Sequence, residues 1–199
     1  TPEEVERKNR FAKVYWETRQ RRGISLFDAE NLMRERNYFA AMMVNQGEAD
    51  ALLTGYSRSY PSVVKPMLQL IDKEPGVSLI ATTNMMMTSR GPMFMSDTAI
   101  NTNPTSEELA KIAIMTAKAA KLFGVEPVIA MISFSNFGSS SNDSANKVRE
   151  AVDYLHKNHP EMIIDGEVQA DFALNPEMLS KKFPFSKLAG KKVNTLIFP

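Results

Sequence analysis

The sequence predicts an α/β fold with three layers, in which helices cover both faces of a mostly parallel sheet. After about residue 77, short apolar segments alternate with helical segments, which is the pattern of parallel strands joined by helices. The chain has 199 residues, of which 43% are hydrophobic and 24% charged. This length and balance are typical of globular domains with a sizeable core.

Charge and composition exclude several classes of protein. The formal net charge is +1, so nothing indicates a nucleic-acid or membrane-surface protein. No apolar run approaches the roughly 20 residues that span a bilayer, and no signal peptide is visible. The chain has no cysteine, which excludes disulfides, thiolate nucleophiles and cysteine metal sites. A reducing, cytoplasmic location is therefore expected.

The first 76 residues predict helices with an incomplete sheet. Helices are predicted at Glu3–Arg22, Leu26–Glu35, Tyr38–Gln46 and Ser59–Ile71, and a short buried strand at Ala51–Thr54. Gly23 is expected to end the first helix and Ser25 to cap the second. A change of composition near Lys73–Gly76 predicts a domain boundary, with a partial first subdomain over 1–76 and a second over 77–199.

The second part predicts the parallel sheet. Strands are predicted at Ser78–Thr83, Met93–Ile100, Val128–Phe134, from Met162 onward, and at Val193–Phe198. Helices are predicted from the capping box of Thr105 and Glu108 to Phe123, and at Ser144–Asn158 and Pro176–Lys182. The Met85–Met87 run is interpreted as core or interface filler.

The segment Ser133–Asp143 is the strongest candidate for a ligand site. It is rich in serine, follows an apolar strand and enters a helix, and ligands of doubly wound sheets gather at such strand ends. Free N–H groups at the helix start would attract an anion. The alternative is a polar loop that only caps the helix, because the segment matches no established phosphate-binding motif.

A second candidate is the segment Asp165–Asp171. If it is extended, Asp165, Glu167, Gln169 and Asp171 share one face, where they could bind a ligand or act as a base. The alternative is a hairpin turned at Asp165-Gly166 with its polar side in water. The partners that a carboxylate metal site needs are not evident.

Cations and histidines are weaker candidates. Arg19, Arg58 and Lys65 could bind phosphates, although most surface cations are merely solvated. His156 and His159 stand near a helix end, where solvation or a dipole contact is the simpler interpretation.

Taken together, the motifs resemble the phosphate acetyl/butyryltransferase family over nearly the whole chain. They occur in the family's order: Tyr38–Val44, Gly47–Gly55, Asn103–Ala110, Glu126-Pro127, Ser133–Ser139, Lys147–Ala151, Asp165–Asp171 and Leu196–Pro199. The resemblance implies two subdomains with a cleft between them, and association into a dimer or larger homo-oligomer.

Within the family, three segments resemble the C-terminal region of bacterial NADP-dependent malic enzymes. These are Gly55–Tyr60, Thr88–Phe94 and Ser135–Gly138. In the last of them Phe137 stands where the acetyltransferases usually have a lysine, and Lys65 stands where they usually have an arginine. Without that lysine the segment loses a cation that would stabilise negative charge.

The resemblance implies a regulatory domain that binds acetyl-CoA, or a related CoA ester, as an allosteric effector. The NADP and divalent-metal chemistry of such a protein would lie in a further N-terminal region. The alternative is a phosphate acetyltransferase, an acyltransferase that moves acetyl between CoA and phosphate. The residues that promote that reaction in the family are expected beyond Pro199, so no catalytic residue is assigned within this chain.

The same resemblance assigns expected ligand contacts. Arg19, Arg58 and Lys65 would hold phosphates, and Asp165 and Glu167 would line the cleft. The pantetheine or acyl end would contact Ser135, Asn136, Gly138, Ser139 and the rest of the loop to Asp143.

Overall fold

The computed structural model describes all residues from Thr1 to Pro199. The chain divides into two compact units, Thr1–Gly76 and Val77–Pro199, which are described separately below. No helix combines the length and the apolar character needed to cross a membrane.

Unit one is built from helices. They are α1 (Pro2–Arg19), a 3-10 turn (Gln20–Arg22), α2 (Leu26–Leu32), α3 (Arg36–Asn45) and α4 (Tyr60–Leu70). Gly23 ends the 3-10 turn in the left-handed conformation, at φ 82°, and the Ser25 hydroxyl accepts the N–H of Asp28. Both predicted helix boundaries are therefore confirmed, although α2 ends three residues before Glu35.

Aromatic and sulfur-containing side chains form the core of unit one. Phe11 and Tyr15 of α1 are buried with Met33, Tyr38 and Met42. The Tyr15 and Tyr38 rings meet edge to face at 5.9 Å, and both hydroxyls donate to Oε1 of Gln69, at 3.0 and 2.8 Å. These two bonds fasten α4 to the other helices.

The strand predicted at Ala51–Thr54 is wrong. These residues have no regular secondary structure, and the Leu53 side chain is fully exposed. A strand needs a neighbour to satisfy its backbone N–H and C=O groups, and unit one contains no strand at all. Leu52 alone contributes to the apolar core.

Unit two is a five-stranded sheet with helices. Its elements are β1 (Thr83–Thr88), β2 (Gly91–Ser96), α5 (Ser106–Leu122), β3 (Val128–Ile132), α6 (Asp143–Asn158), β4 (Ile163–Val168), α7 (Ala170–Ala173), α8 (Pro176–Lys182) and β5 (Thr195–Ile197). The strand order is β1-β2-β5-β3-β4, and only the β1–β2 pair is antiparallel. The mostly parallel sheet is confirmed.

Alternate residues of β3 face two different layers of unit two. Ile129 and Met131 pack into the core with α5 and α6. Ala130 and Ile132 pack on the other side with residues of α7 and α8 such as Ala173 and Leu179. Helices therefore cover both faces of the sheet, which confirms the three-layer α/β/α class.

The strand predicted at Ser78–Thr83 is wrong, because β1 begins where that segment ends. The backbone N–H and the hydroxyl of Thr82 bind the Asp97 carboxylate instead of a neighbouring strand. The strand predicted over Met93–Ile100 ends at Ser96, because Asp97 accepts the N–H groups of the following turn. The methionines 85–87 lie on the edge strand β1 and are 42–75% exposed, so they are not core of this chain.

Candidate functional site

The loop between β3 and α6 lies against the carboxyl end of β4. The backbone N–H of Ser133 donates to the Val168 carbonyl at 3.0 Å, and that of Phe137 donates to the Glu167 carbonyl at 2.8 Å. Parallel pairing brings the ends of β3 and β4 to the same edge of the sheet. In α/β folds this edge is where ligands bind.

The carboxylate of Glu167, in β4, accepts hydrogen bonds from several groups of this loop. Its side chain is fully buried. Oε1 accepts from the Ser135 hydroxyl at 3.1 Å, the Gly138 N–H at 2.7 Å and Arg149 Nη2 at 3.1 Å. Oε2 accepts from Arg149 Nε at 3.3 Å, so the guanidinium holds the carboxylate by two bonds.

These contacts keep Glu167 ionised. Burial raises the pKa of its carboxyl, but the hydrogen bonds from Arg149, from the backbone N–H groups of Gly138 and Glu167, and from Ser135 outweigh burial, so the pKa is lowered. An ionised carboxylate accepts hydrogen bonds and donates none. The Ser135 hydroxyl must therefore be the donor in its hydrogen bond with Glu167.

That proton assignment sets the direction of a short hydroxyl chain. Because the Ser135 proton is used, the Ser139 hydroxyl is the donor in the 3.0 Å contact between the two oxygens. Ser139 Oγ in turn accepts the N–H of Asn136 at 3.0 Å, and Ser135 Oγ accepts that of Ser140 at 3.1 Å. The chain runs from Ser139 at the surface through Ser135 to the buried carboxylate of Glu167.

The loop uses most of its own N–H groups, contrary to the expectation of a free helix start. Besides those already named, the N–H groups of Ser139, Asn142 and Ser144 donate to acceptors within residues 136–142. Asn142 caps α6 with its side chain. An anion would thus meet the exposed part of the loop, Gly138–Ser139 and residues 141–144, rather than a set of open N–H groups.

The structure separates the predicted loop contacts by exposure. Ser135 is buried, and it already donates one and accepts two hydrogen bonds, so contact with a ligand would require the loop to rearrange. Asn136 is half-buried and bound to Gln169. Gly138 and Ser139 are exposed and remain the best placed of the predicted contacts.

Phe137 belongs to an aromatic cluster. Its ring centroid lies 4.8 Å from that of Phe183 and 5.2 Å from that of Phe185. The Phe137 backbone is in the left-handed region at φ 43°, and its N–H is held by Glu167. An apolar surface therefore borders the polar loop, and no cation occupies this position.

Asp165 and Glu167 have separate partners. Asp165 Oδ2 accepts from the Ser186 hydroxyl at 2.8 Å and the Lys187 N–H at 2.7 Å. The hairpin alternative for this segment is wrong, because it forms the end of β4, followed by α7 with Gln169 at the helix start. Asp165 and Glu167 are both buried, and both are occupied by partners within the protein. Contact of either carboxylate with a ligand therefore stays a prediction.

Arg19 lies at a small pocket within unit one. The pocket has a volume of about 240 Å³, and its walls include Tyr15, Arg22, Gln69 and Asp72. Arg19 Nη2 donates to the Gln69 carbonyl near the end of α4. The guanidinium is therefore partly engaged by the protein itself.

Arg58 and Lys65 are exposed and form no hydrogen bond or ion pair. Arg58 precedes the start of α4, whereas Arg19 contacts its last turn. Eleven helical residues separate these two ends by roughly 16 Å. The structure therefore does not gather the three predicted phosphate contacts at one point of unit one, and their role stays a prediction.

The two histidines lie near the end of α6, as the sequence indicated. His156 Nε2 is 2.8 Å from the Ile164 carbonyl oxygen, and His159 Nδ1 is 3.4 Å from the Glu161 carboxylate. No three acidic or histidine side chains come together where they could hold a metal ion.

Arg149 is the residue of this site that the sequence pattern did not single out. It lies in the second turn of α6, and its Nη2 also donates to the Ser140 carbonyl at 3.1 Å. The sequence offers two signals, its place shortly after the loop and its position inside the Lys147–Ala151 family motif. A guanidinium at a helix surface is ordinary, and only the fold shows that it reaches a buried carboxylate.

The family model described as phosphate acetyl/butaryl transferase matches residues 1–199. The chain belongs to this family. Phosphate acetyltransferase of Clostridium acetobutylicum is 37% identical over 205 residues, covering 100% of this chain and 61% of that protein. NADP-dependent malic enzyme of Haemophilus influenzae is 37% identical over 188 residues, covering 94% of this chain and 25% of that protein.

Solved structures of the family agree with the fold. A phosphotransacetylase from Streptococcus pyogenes superposes with a TM-score of 0.79 at 38% identity, covering 98% of this chain and 58% of that one. The chain thus spans about three fifths of the length of the transferases that match it throughout. The predicted membership of the phosphate acetyl/butyryltransferase family is confirmed.

Proposed function

We propose that this chain is part of a phosphate acetyltransferase, which transfers an acetyl group between CoA and inorganic phosphate. The observation that carries the proposal is the joint similarity in sequence and fold to proteins of that name, at 37–38% identity over nearly the whole chain. The motifs that resemble malic enzymes favour a regulatory domain, but the matched relatives support the transferase better.

In the proposed reaction, an oxygen of phosphate attacks the thioester carbonyl carbon of acetyl-CoA. The carbon–sulfur bond breaks, CoA leaves as the thiolate and takes up a proton, and acetyl phosphate is formed. Both substrates carry phosphate charge, and negative charge also develops on the carbonyl oxygen. The site must therefore offer donors that are already oriented when the substrates arrive.

The β3–α6 loop fits this requirement at the acyl end. Gly138 and Ser139 are exposed at the ligand edge of the sheet, and the backbone N–H of Gly138 donates to the buried Glu167 carboxylate. The exposed ring of Phe185 beside Phe137 provides an apolar surface next to these polar groups.

For the phosphates of CoA, the proposed contacts are Arg19, Arg58 and Lys65. The side chains of Arg58 and Lys65 are exposed and form no hydrogen bond or ion pair within the protein, which suits them to bind phosphate.

The test is an assay of the full-length protein with acetyl-CoA and phosphate. Acetyl phosphate, trapped as the hydroxamate, should appear in equal amount to free CoA thiol. Thiol release without acetyl phosphate would indicate hydrolysis and would contradict the proposal. Absence of both products would do the same.

A second candidate is a regulatory domain of an NADP-dependent malic enzyme that responds to acetyl-CoA. The specific observation in its favour is Phe137, which the family resemblance places where a transferase has a lysine and which packs against Phe183 and Phe185. In this case NADP and a divalent metal would act outside this chain, and the protein would work as a homo-oligomer.

The two candidates differ in a direct measurement. Malate-dependent reduction of NADP by the full-length protein, lowered by acetyl-CoA and without acetyl phosphate formation, would favour regulation. Effector control requires acetyl-CoA to bind two states with different affinity. Acetyl phosphate formation without malate oxidation would favour the transferase.

A further inference from the structure

The ion pair between Arg149 and Glu167 joins three parts of unit two. Glu167 lies in β4, Arg149 lies in α6, and Arg149 Nη2 also reaches the Ser140 carbonyl in the loop between β3 and α6. Nη1 of the same guanidinium donates to Asn146 at 3.2 Å. One side chain therefore fixes a strand end, a loop and a helix relative to one another.

The pair is costly for a purely structural contact. Glu167 is fully buried, and burying a carboxylate is expensive enough that an apolar pair of similar volume often gives equal or better stability. The carboxylate nevertheless accepts hydrogen bonds from the Gly138 N–H and the Ser135 hydroxyl. Through Ser135 it also orients the Ser139 hydroxyl. All the groups that it orients belong to the loop, and none belongs to the apolar core.

The oriented groups end at the surface. Gly138 and Ser139 are exposed, although every hydrogen bond that shapes them leads inward to Glu167 or within the loop. Rigid support beneath exposed polar groups is what transition-state stabilisation by preorganised donors requires.

We propose that Arg149 and Glu167 are positioning residues, which hold the Gly138–Ser139 segment in the geometry that acyl transfer needs. The proposal rests on the transferase function proposed above. Neither side chain is assigned a contact with substrate: Glu167 is closed off from solvent, and Arg149 acts through it.

The experiment compares Arg149→Lys and Glu167→Gln in the full-length protein with the control Glu150→Gln. Lysine keeps the charge of Arg149 but loses the two-bond grip on Glu167. Glutamine keeps the shape of Glu167, but its amide NH2 is a hydrogen-bond donor. It would face the N–H donors of Arg149, so one of the two bonds between these residues is lost. Glu150 is an exposed neighbour on α6 with no hydrogen bond or ion pair, so its variant should behave as wild type.

For both test variants, kcat of acetyl phosphate formation should fall about tenfold or more, while KM for acetyl-CoA stays within about threefold. Hydrogen exchange at the Gly138 and Ser140 amides should become faster, while that of Leu155 in α6 stays slow. In Arg149→Ala, added guanidinium should restore part of kcat, which a simple loss of stability would not allow.

The outcomes separate this proposal from the transferase function. If the wild type forms acetyl phosphate and both variants keep its kcat, the positioning role is overturned. If the wild type forms none, the transferase proposal fails, and loop exchange then decides only whether the ion pair holds the Gly138–Ser139 segment in place. Unchanged exchange at Gly138 and Ser140 would overturn this holding role, and faster exchange there in the variants alone would support it.

Discussion

Asn136 and Gln169 hold each other by two hydrogen bonds across 33 residues of chain. Asn136 Nδ2 donates to Gln169 Oε1 at 2.6 Å, and the backbone N–H of Gln169 donates to Asn136 Oδ1 at 2.8 Å. Gln169 Nε2 also donates to the Phe134 carbonyl at 2.9 Å. The loop after β3 is thus closed onto the residue that follows β4.

Replacing Asn136 by alanine should destabilise unit two. The variant leaves the Gln169 N–H without its acceptor, and an unsatisfied, partly buried donor costs about 1–3 kcal/mol. The free energy of unfolding can be measured by urea denaturation followed by circular dichroism. Asn158→Ala, which removes one exposed bond to the Tyr154 carbonyl, should stay within about 0.5 kcal/mol of wild type. Equal effects of the two variants would contradict the closure.

Asp97 should make unit two sensitive to acid. Burial raises the pKa of its carboxyl, but the hydroxyl of Thr82 and the N–H groups of Ala99, Asn101 and Thr82 lower it to about 2. Because the folded-state pKa lies below the ordinary value of 3.8, this stabilisation is complete above about pH 4 and is lost as the pH falls towards 2.

The corresponding measurement is the unfolding free energy between pH 2 and pH 6. In Asp97→Asn the loss of stability on acidification should be smaller than in wild type, by roughly 1 kcal/mol after allowance for solvent screening. Asp171→Asn, at an exposed position, is the matched control. A wild-type slope in Asp97→Asn would exclude this role.

Gly166 should not tolerate a side chain. A Cβ placed there would lie 2.5 Å from the Met131 carbonyl oxygen and 2.9 Å from its Cβ, and the backbone has φ +152°. Since the neighbour is the backbone of β3, an interior strand of the sheet, it cannot yield cheaply. We expect Gly166→Ala to cost about 3 kcal/mol or more, or to prevent folding.

Gly190 provides the control for this prediction. It also has a positive φ, of +71°, but nothing lies within 4 Å of a Cβ built there. Gly190→Ala should cost only about 1 kcal/mol of backbone strain. Thermal unfolding of both variants checks the difference, and a similar loss in both would show that close approach to β3 is unimportant.

The side chain of Gln69 is only half-buried, but it should contribute strongly to the stability of unit one. It is the common acceptor of the Tyr15 and Tyr38 hydroxyls, at 3.0 and 2.8 Å. Gln69→Ala leaves both tyrosines without this partner, so unit one should lose about 2–4 kcal/mol. The control Gln46→Ala removes one exposed bond to Asn45 and should have little effect. Equal stability of the two variants would argue against the shared acceptor.

The pair of Tyr15 and Tyr38 should make the stability of unit one fall at alkaline pH. Burial, the neighbouring Tyr15 charge and the hydrogen bond with Tyr15 raise the pKa of Tyr38 to about 12, against the opposing effect of Arg19. The neutral hydroxyl is therefore stabilised by folding, and this stabilisation is lost as the pH rises from 10 towards 12. In Tyr38→Phe, spectrophotometric titration should lose the last tyrosine to ionise.

The elements that the sequence predicted well are those with local signals. The Thr105–Glu108 capping box marks the start of α5 within one turn of helix, and Gly23 ends its helix by its own backbone conformation. The strand at Ala51–Thr54 failed because apolar composition alone cannot supply a pairing partner. At Ser78–Thr83, the Asp97 carboxylate competes with the ladder for Thr82.

The candidate site divides in the same way. The sequence by itself determined the α/β class, the family, and the polar loop between β3 and α6, because periodicity, capping residues and ordered motifs are properties of neighbouring residues. Only the tertiary structure decided that Glu167 is buried beneath the loop, that Arg149 grips it from 18 residues away, and that Ser135 points inward to it across 32. Burial and hydrogen-bond direction depend on which strand ends meet, and the pairing of β3 with β4 settles that through contacts between segments that are distant in the chain.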